Sequence, residues 1–337
     1  MPIEILSIVL SLLLGFGSTF IAAPFVRDYL KSSGVVGIDQ QKENKPELAS
    51  SGGVIVLFGF LTAVCFYIGL NSLLGIHGLD ISLVLAALAS VSIISLIGLM
   101  DDISLSDDGE VMRDGLTQDV KSLLVLPAAF PLIAVGAGSW SMVLPLVGDI
   151  NWGLFYPFVL LPLGLLFVAN VVNMLEGVNG LATGLSAITS ASLGVMALLT
   201  GSLGAAIIGL VLASCLTAFL IFNYYPASIL PGDSLTYLCG AGIFATMVIG
   251  DLERFGVMIF VLWFIEFGLK LRSRFDARSW GVLQSDGSLK SHHDKIYSLT
   301  HVFMRFNFSE KQVANSLFLI QFAICLVSGY VYYFFLI

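Results

Sequence analysis

The chain has 337 residues, 57% of them hydrophobic and only 11% charged, with a mean hydropathy of +0.96. A soluble globular domain carries about 25% charged residues, so these values exclude one and indicate a polytopic membrane protein. The formal net charge of −8 says nothing useful about partners, and no nucleic-acid partner is expected.

Apolar runs near the roughly 20 residues that cross a bilayer fall at about 4–26, 53–73, 81–100, 120–138, 153–172, 181–200, 203–222, 235–250, 255–271 and 313–336. Irregular backbone cannot face lipid, so each run reads as a helix. The expected fold is all-α, a polytopic membrane protein with about ten transmembrane helices, forming one domain over residues 1–337. The first run lacks a basic start and a small-residue cleavage site and reads as a retained helix. With this helix count, the loops after odd-numbered helices share one side. Every Lys and Arg except Arg254 lies in or beside those loops. The positive-inside rule then makes that side cytoplasmic and puts both termini outside, in a multi-pass protein of the cell (plasma) membrane. Cys65, Cys215, Cys239 and Cys325 are scattered through apolar runs with no CxxC or Cys/His spacing. They read as small buried apolar residues.

The first cytoplasmic loop, Arg27 to Gly53, is polar and rich in breakers. Asp39 and Ser50-Ser51 can hydrogen-bond a ligand there, although the loop taken alone reads first as a solvated connector. The second opens with Asp101-Asp102 directly after an apolar run. Adjacent carboxylates can bind Mg²⁺, or one can raise the other's pKa and poise it as a base; an acidic interfacial cap is the alternative. Lys121, at the start of the next run, reads either as a snorkelling anchor or as a group that holds a phosphate oxygen or pairs with Asp101.

In the third stretch, Asn170 and Asn173 lie on one helix face. Two amides at the end of an apolar helix are costly unless partnered. Gly177, Asn179 and Gly180 then break the chain ahead of the next helix, and backbone amides in such a turn suit an anion or a nucleobase edge. Helix–helix glue is the other reading of the two Asn. In the fourth loop, Asp233 sits between Gly232 and Ser234, as either an N-cap or a Mg²⁺ ligand, and Tyr224 and Tyr225 suit an interfacial belt. The fifth loop, Lys270 to Asn315, is the longest and most basic, and it holds His292, His293 and His301. It can touch anionic lipid or clamp a diphosphate. Ser285 to Ser288 reads as a tight turn and Trp280 as an interfacial anchor.

Taken together, Asp101-Asp102, the string Asn170-x-x-Asn173-Met-Leu-Glu-Gly-Val-Asn-Gly-Leu and the segment Pro226-Ala227-Ser228 to Gly232-Asp233 resemble the polyprenyl-phosphate N-acetylhexosamine-1-phosphate transferases. Order, spacing and membrane side agree over nearly the whole chain. The likeness is closest to the dolichyl-phosphate GlcNAc-1-phosphotransferases of the archaeal and eukaryotic type. Asn179 stands where bacterial relatives generally have Asp, the bacterial HxHH string is absent, and the basic stretch Phe275 to Arg278 is followed by a turn. Three departures stand out: Leu230 and Pro231 occupy the stretch where dolichyl enzymes carry an aromatic, the PRHR-like cluster is only partly present, as Arg278 with Arg272 and Arg274 nearby, and Glu176 takes a position that is often Asp in bacterial members.

The resemblance implies transfer of a hexosamine-1-phosphate, GlcNAc-1-phosphate above all, from a UDP-N-acetylhexosamine to a polyprenyl or dolichyl phosphate, with release of UMP. It implies Mg²⁺ as cofactor, with Mn²⁺ as a substitute, on Asp233 and Asn173. It gives Asp101, Asp102 and Lys121 catalytic roles, and substrate contacts to Asn170, Asn179, Gly180, Asp39, Ser50 and Arg278. The partners are the two substrates and the lipid bilayer, and a homodimer is compatible with the reading. The alternatives are a bacterial-type undecaprenyl-phosphate transferase, a phospho-MurNAc-pentapeptide transferase, or a secondary transporter. Transporter sites lie near the bilayer midplane, whereas these clusters sit at segment ends.

Overall fold

The computed structural model describes residues 3–75, 78–103, 123–144 and 148–336. In chain order its helices are α1 Ile3–Ser32, α2 Gly53–Leu74, α3 Ile81–Ile103, α4 Leu123–Ala134, α5 Tyr156–Met174, α6 Leu181–Thr200, α7 Leu203–Asn223, α8 Gly232–Ile249, α9 Glu253–Ile259, α10 Val261–Arg272, α11 Leu299–Met304 and α12 Glu310–Phe335. Eight of them, among the described residues, are long and apolar enough to cross a membrane. Every apolar run of the sequence is therefore helical over most of its described residues. The fourth is helical over Leu123–Ala134 among the described residues, and the ninth is split into α9 and α10 at Phe260. Lys121 lies outside the described residues.

The split has a partner. A helix break leaves carbonyls unpaired, which is costly in hydrocarbon. The fully buried Gln321 of α12 donates from Nε2 to the Ile259 carbonyl and to Thr189 Oγ1 on α6, each at 3.0 Å.

Helix α8 is the centre of the bundle, with 89% of its apolar window buried, against 28% for α1 and α12. Small residues let its neighbours approach closely: a Cβ on Gly240 would stand 2.5 Å from the Ala169 Cα of α5. The first turn of α8 is held by glycines of two other helices. A Cβ on Gly53 of α2 would meet the Ser234 carbonyl carbon at 2.3 Å, and one on Gly98 of α3 would meet the Asp233 carbonyl oxygen at 2.5 Å. The start of α2, the end of α3, the end of α5 and the start of α8 therefore meet at one end of the bundle. Cys215, Cys239 and Cys325 are buried as expected, whereas Cys65 is exposed.

Strand structure among the described residues is confined to three antiparallel hairpins. These pair β1 Val36–Ile38 with β2 Glu47–Ala49, β3 Ser141–Leu144 with β4 Gly148–Asn151, and β5 Gly281–Leu283 with β6 Leu289–Ser291. The turn between β5 and β6 falls where the sequence places it, with Asp286 Oδ1 accepting the Ser288 N–H and Oγ–H. Distant loops are stitched together over the converging helix ends. Leu230 donates its N–H to the Ala49 carbonyl at 2.8 Å, and Gly52 donates to Leu230 O at 3.1 Å. Gln41 joins the first, third and fifth loops: its Nε2 donates to Gly177 O at 2.6 Å and its Oε1 accepts the Gly281 N–H at 3.2 Å.

Candidate active site

The N-terminus of α8 presents backbone N–H groups that no intrahelical carbonyl can reach. A side chain from another helix satisfies them. The buried Asp102 carboxylate accepts the Asp233 N–H at 2.8 Å, the Ser234 N–H at 3.1 Å and the Ser51 hydroxyl at 2.8 Å. Asp101 and Asp102 do not follow α3, as the sequence suggested; they form its last turn. The cap of α8 is Asp102, and Asp233 stands inside the helix as its second residue. Gly232 makes room for this contact. Its φ is +68°, and a Cβ there would lie 2.3 Å from Asp102 Oδ2.

With its backbone held, Asp233 turns its carboxylate to Asn173, whose Nδ2 donates to Asp233 Oδ1 at 2.8 Å and to Thr236 Oγ1 at 2.9 Å. A carboxylate only accepts, so the amide nitrogen of Asn173 faces α8 and its oxygen is turned away from Asp233. Asn170, one turn earlier, bonds the Leu166 carbonyl of its own helix at 2.8 Å. Glu176 lies just past the end of α5. Desolvation pushes its carboxyl well above the usual carboxylate range, and the negative charges of Asp233 and Asp102 add to the shift. Asp233, Asn173 and Glu176 bring hard oxygen donors to one place. Among the described residues no group of three or more His, Cys, Asp or Glu is placed to hold a metal ion by itself. Mg²⁺ does not need one, because it usually takes one or two carboxylates plus substrate phosphates and water.

Beside this cluster is a cavity of about 170 Å³ whose wall includes Asp39, Glu176, Gly177, Asn179, Leu230 and Trp280. Gly180, at φ +80°, turns the chain into α6. Asn179 donates its N–H to Glu310 Oε1 at 2.8 Å and its Nδ2 to Asp39 Oδ2 at 2.9 Å. Lys42 lies between the two acids, 3.0 Å from Asp39 Oδ2 and 2.6 Å from Glu310 Oε2, and 4.6 Å over the Tyr225 ring.

Trp280 belongs to the cavity wall, and the Arg278 guanidinium lies 5.0 Å from its ring centre. Arg278 is positioned by histidines: its N–H donates to His293 Nε2 at 3.2 Å and its carbonyl meets His301 Nε2 at 2.8 Å. His301 Nδ1 accepts the Tyr297 N–H, so Nε2 carries the proton. Burial holds the His301 pKa down to about 4. Of the Ser50-Ser51 pair, Ser51 reaches the cluster. Ser50 is buried, pairs its N–H with Val35 O and is no part of the cavity wall. Sequence reasoning missed Lys42, Gln41, Glu310 and Thr236 as parts of the site. Their only signal was a polar side chain in a loop or a helix end.

Residues 84–251 match the family described as Glycosyl transferase family 4. A relative from Saccharolobus solfataricus is 35% identical over 313 residues, 92% of each chain. The chain belongs to that family. The Saccharolobus relative is named, provisionally, as a UDP-N-acetylglucosamine–dolichyl-phosphate N-acetylglucosaminephosphotransferase. A relative from Sulfolobus acidocaldarius with the same name is 34% identical over 310 residues, 90% of each chain. A phospho-N-acetylmuramoyl-pentapeptide-transferase from Leuconostoc citreum is 28% identical over 325 residues, 93% of this chain. The family match covers Asp101, Asp102, Asn173, Asn179 and Asp233, while Asp39, Lys42 and Glu310 lie outside it.

Proposed function

We propose that this protein transfers GlcNAc-1-phosphate from UDP-GlcNAc to dolichyl or a related polyprenyl phosphate, the first membrane step of N-glycan or surface-glycan synthesis. An oxygen of the lipid phosphate attacks the β-phosphorus, the bond to the α-phosphate bridge breaks, and UMP leaves. The observation that carries the reading is the meeting of Asp102, Asn173, Asp233 and the Gly177–Gly180 turn at one end of the bundle, although they are far apart in sequence. The names of the two archaeal relatives support the substrates. The basic loops support a cytoplasmic active site in the plasma membrane.

The donor set fits Mg²⁺: Asp233 and the amide oxygen of Asn173 would hold it, with Glu176 alongside. A divalent cation there would offset the diphosphate charge and the charge developing on departing UMP. Asp102 keeps the Asp233 backbone in place and does not itself reach substrate. Asp101, half-exposed at the end of α3, is then the carboxylate of the pair that orients the lipid phosphate. That phosphate is already largely ionised near neutral pH, so orientation matters more than proton removal. Asn179 and the Gly177–Gly180 turn meet the uracil, and Arg278 faces the sugar or the diphosphate.

The test uses purified protein in detergent with Mg²⁺. UDP-GlcNAc, UDP-GalNAc and UDP-MurNAc-pentapeptide are each paired with dolichyl and undecaprenyl phosphate, and the lipid products are weighed by mass spectrometry. The reading predicts dolichyl-diphospho-GlcNAc as the main product. A MurNAc-pentapeptide lipid as main product, or no diphospho-sugar lipid from any pair, overturns it.

A further inference from the structure

Asn179 is 8% exposed on the cavity wall, and its side chain can face only one way. Its Nδ2 donates to Asp39 Oδ2 at 2.9 Å. Because a carboxylate offers no proton, the amide nitrogen must face Asp39 and the amide oxygen must face away. Among the described residues nothing donates to that oxygen. Asp39 cannot easily move. Its side chain is 4% exposed, and Lys42 ties it to the equally buried Glu310, which also accepts the Asn179 backbone N–H. Three residues from the first loop and the start of α12 thus fix the polarity of one amide in the loop before α6.

We infer that Asp39, held by Lys42, makes Asn179 an obligate hydrogen-bond acceptor and thereby selects uracil over cytosine in the donor nucleotide. This rests on the reading that Asn179 meets the base of a UDP-sugar. Uracil presents an N3–H between two carbonyl oxygens. Cytosine presents a bare N3 lone pair there, with its amino group one position along the edge. Against a fixed amide oxygen the uracil N3–H pairs, whereas cytosine sets lone pair against lone pair and leaves both groups unpaired. If the amide could turn over, its NH₂ would serve cytosine equally well. Asp39 removes that option without touching the base. It is a positioning residue, not the ligand contact its place in the sequence suggests.

The experiment compares kcat/KM for UDP-GlcNAc and CDP-GlcNAc in the wild type and in Asp39→Asn, Glu310→Gln and Asn179→Leu, each checked for thermal unfolding in detergent. A site built around a substrate N–H rejects an analogue lacking it strongly, so the wild type should favour UDP-GlcNAc by about 10²-fold or more. An Asn at 39 can offer either an oxygen or an NH₂ to Asn179. The amide then turns, and the UDP-to-CDP ratio should fall about tenfold or more, chiefly through a lower KM for CDP-GlcNAc. Glu310→Gln still accepts the Asn179 N–H and should slow both donors while keeping the ratio. Should Asp39→Asn not fold, Asp39→Ser, whose hydroxyl both donates and accepts, is read in the same way. A folded Asp39 variant with an unchanged ratio, beside an Asn179→Leu variant that has lost discrimination, overturns this inference and leaves the proposed function standing. A wild type that uses both donors equally, or neither, removes the reading on which the inference rests.

Discussion

The Asp102 carboxylate at the end of α3 accepts the backbone N–H of Asp233 at the start of α8, at 2.8 Å. One acid thus fixes the backbone from which the other projects toward Asn173. In the proposed reading the two have different work despite their similar chemistry: Asp102 supports the start of α8, and Asp233 would meet a cation and a diphosphate.

Replacing Asp102 with Ala leaves two helix amides and the Ser51 hydroxyl without their acceptor. Lost caps and lost hydrogen bonds to a charged group each cost about 1–3 kcal/mol. Asp102→Ala should lower stability by about 2–4 kcal/mol in total and abolish transfer, read as a lower midpoint of thermal unfolding in detergent. Asp233→Ala should abolish transfer with little change in that midpoint. Equal melting of wild type and Asp102→Ala would show that the cap carries no structural weight.

Gly232→Ala should be at least as damaging as removing Asp102. It combines a left-handed φ of +68° with a Cβ 2.3 Å from Asp102 Oδ2, and strain and overlap at such positions each cost about 1–3 kcal/mol. Gly98→Ala, aimed at the Asp233 carbonyl, should reduce activity more than it reduces expression, because it displaces Asp233, the proposed metal ligand. Gly17→Ala, with open space around its Cβ, serves as the silent control. Comparable activity in all three variants contradicts the close-packed account of the α8 start.

Glu176 predicts a pH dependence. Its carboxyl is raised in the folded protein by desolvation, then by Asp233 and Asp102, so over the window above the ordinary value the folded state binds more protons than the unfolded state. Stability without divalent cation should fall as pH rises from about 4.3 toward the raised value. Glu176→Gln should flatten that fall. Added Mg²⁺ should bind more tightly as pH rises, because it replaces the proton. Identical pH profiles of the melting midpoint for wild type and Glu176→Gln would refute this.

His301 works in the opposite sense. Burial holds its pKa down to about 4, so the unfolded state binds the extra proton. The stability it confers on the fifth loop is present above about 6.5 and lost as pH falls through about 4. His301→Ala should make the segment around Arg278 more sensitive to limited proteolysis near neutral pH and raise KM for the donor severalfold. Unchanged proteolysis would remove His301 from the support of Arg278.

Much of this site was legible because polar groups at the ends of apolar runs are rare and costly. That logic singled out Asp101-Asp102, Asn173, Asn179 and Asp233. It could not divide the labour of Asp101 and Asp102. Neighbouring residues on a helix point about 100° apart, and only the docking of α8 decides which one becomes a cap. Nor could it find the partnership of Lys42 and Glu310, which are 268 residues apart. In the sequence Glu310 lies ahead of the last apolar run with nothing to mark it. The break at Phe260 was hidden for a related reason: the run holds no proline, and the side chain that tolerates the break, Gln321, comes from another helix. Nor could the sequence pair Asp39 with Asn179, because only the fold brings the two together.

The fate of the β-phosphorus tests the central claim most directly. UDP-GlcNAc labelled with ³²P in the β-phosphate is incubated with dolichyl phosphate, Mg²⁺ and the purified protein, and the lipid and aqueous products are separated. The label should appear wholly in the lipid, with unlabelled UMP in the aqueous phase, and Asp233→Ala should transfer none. Label recovered in UDP, with a singly phosphorylated sugar lipid, would contradict attack at the β-phosphorus and the account built on it.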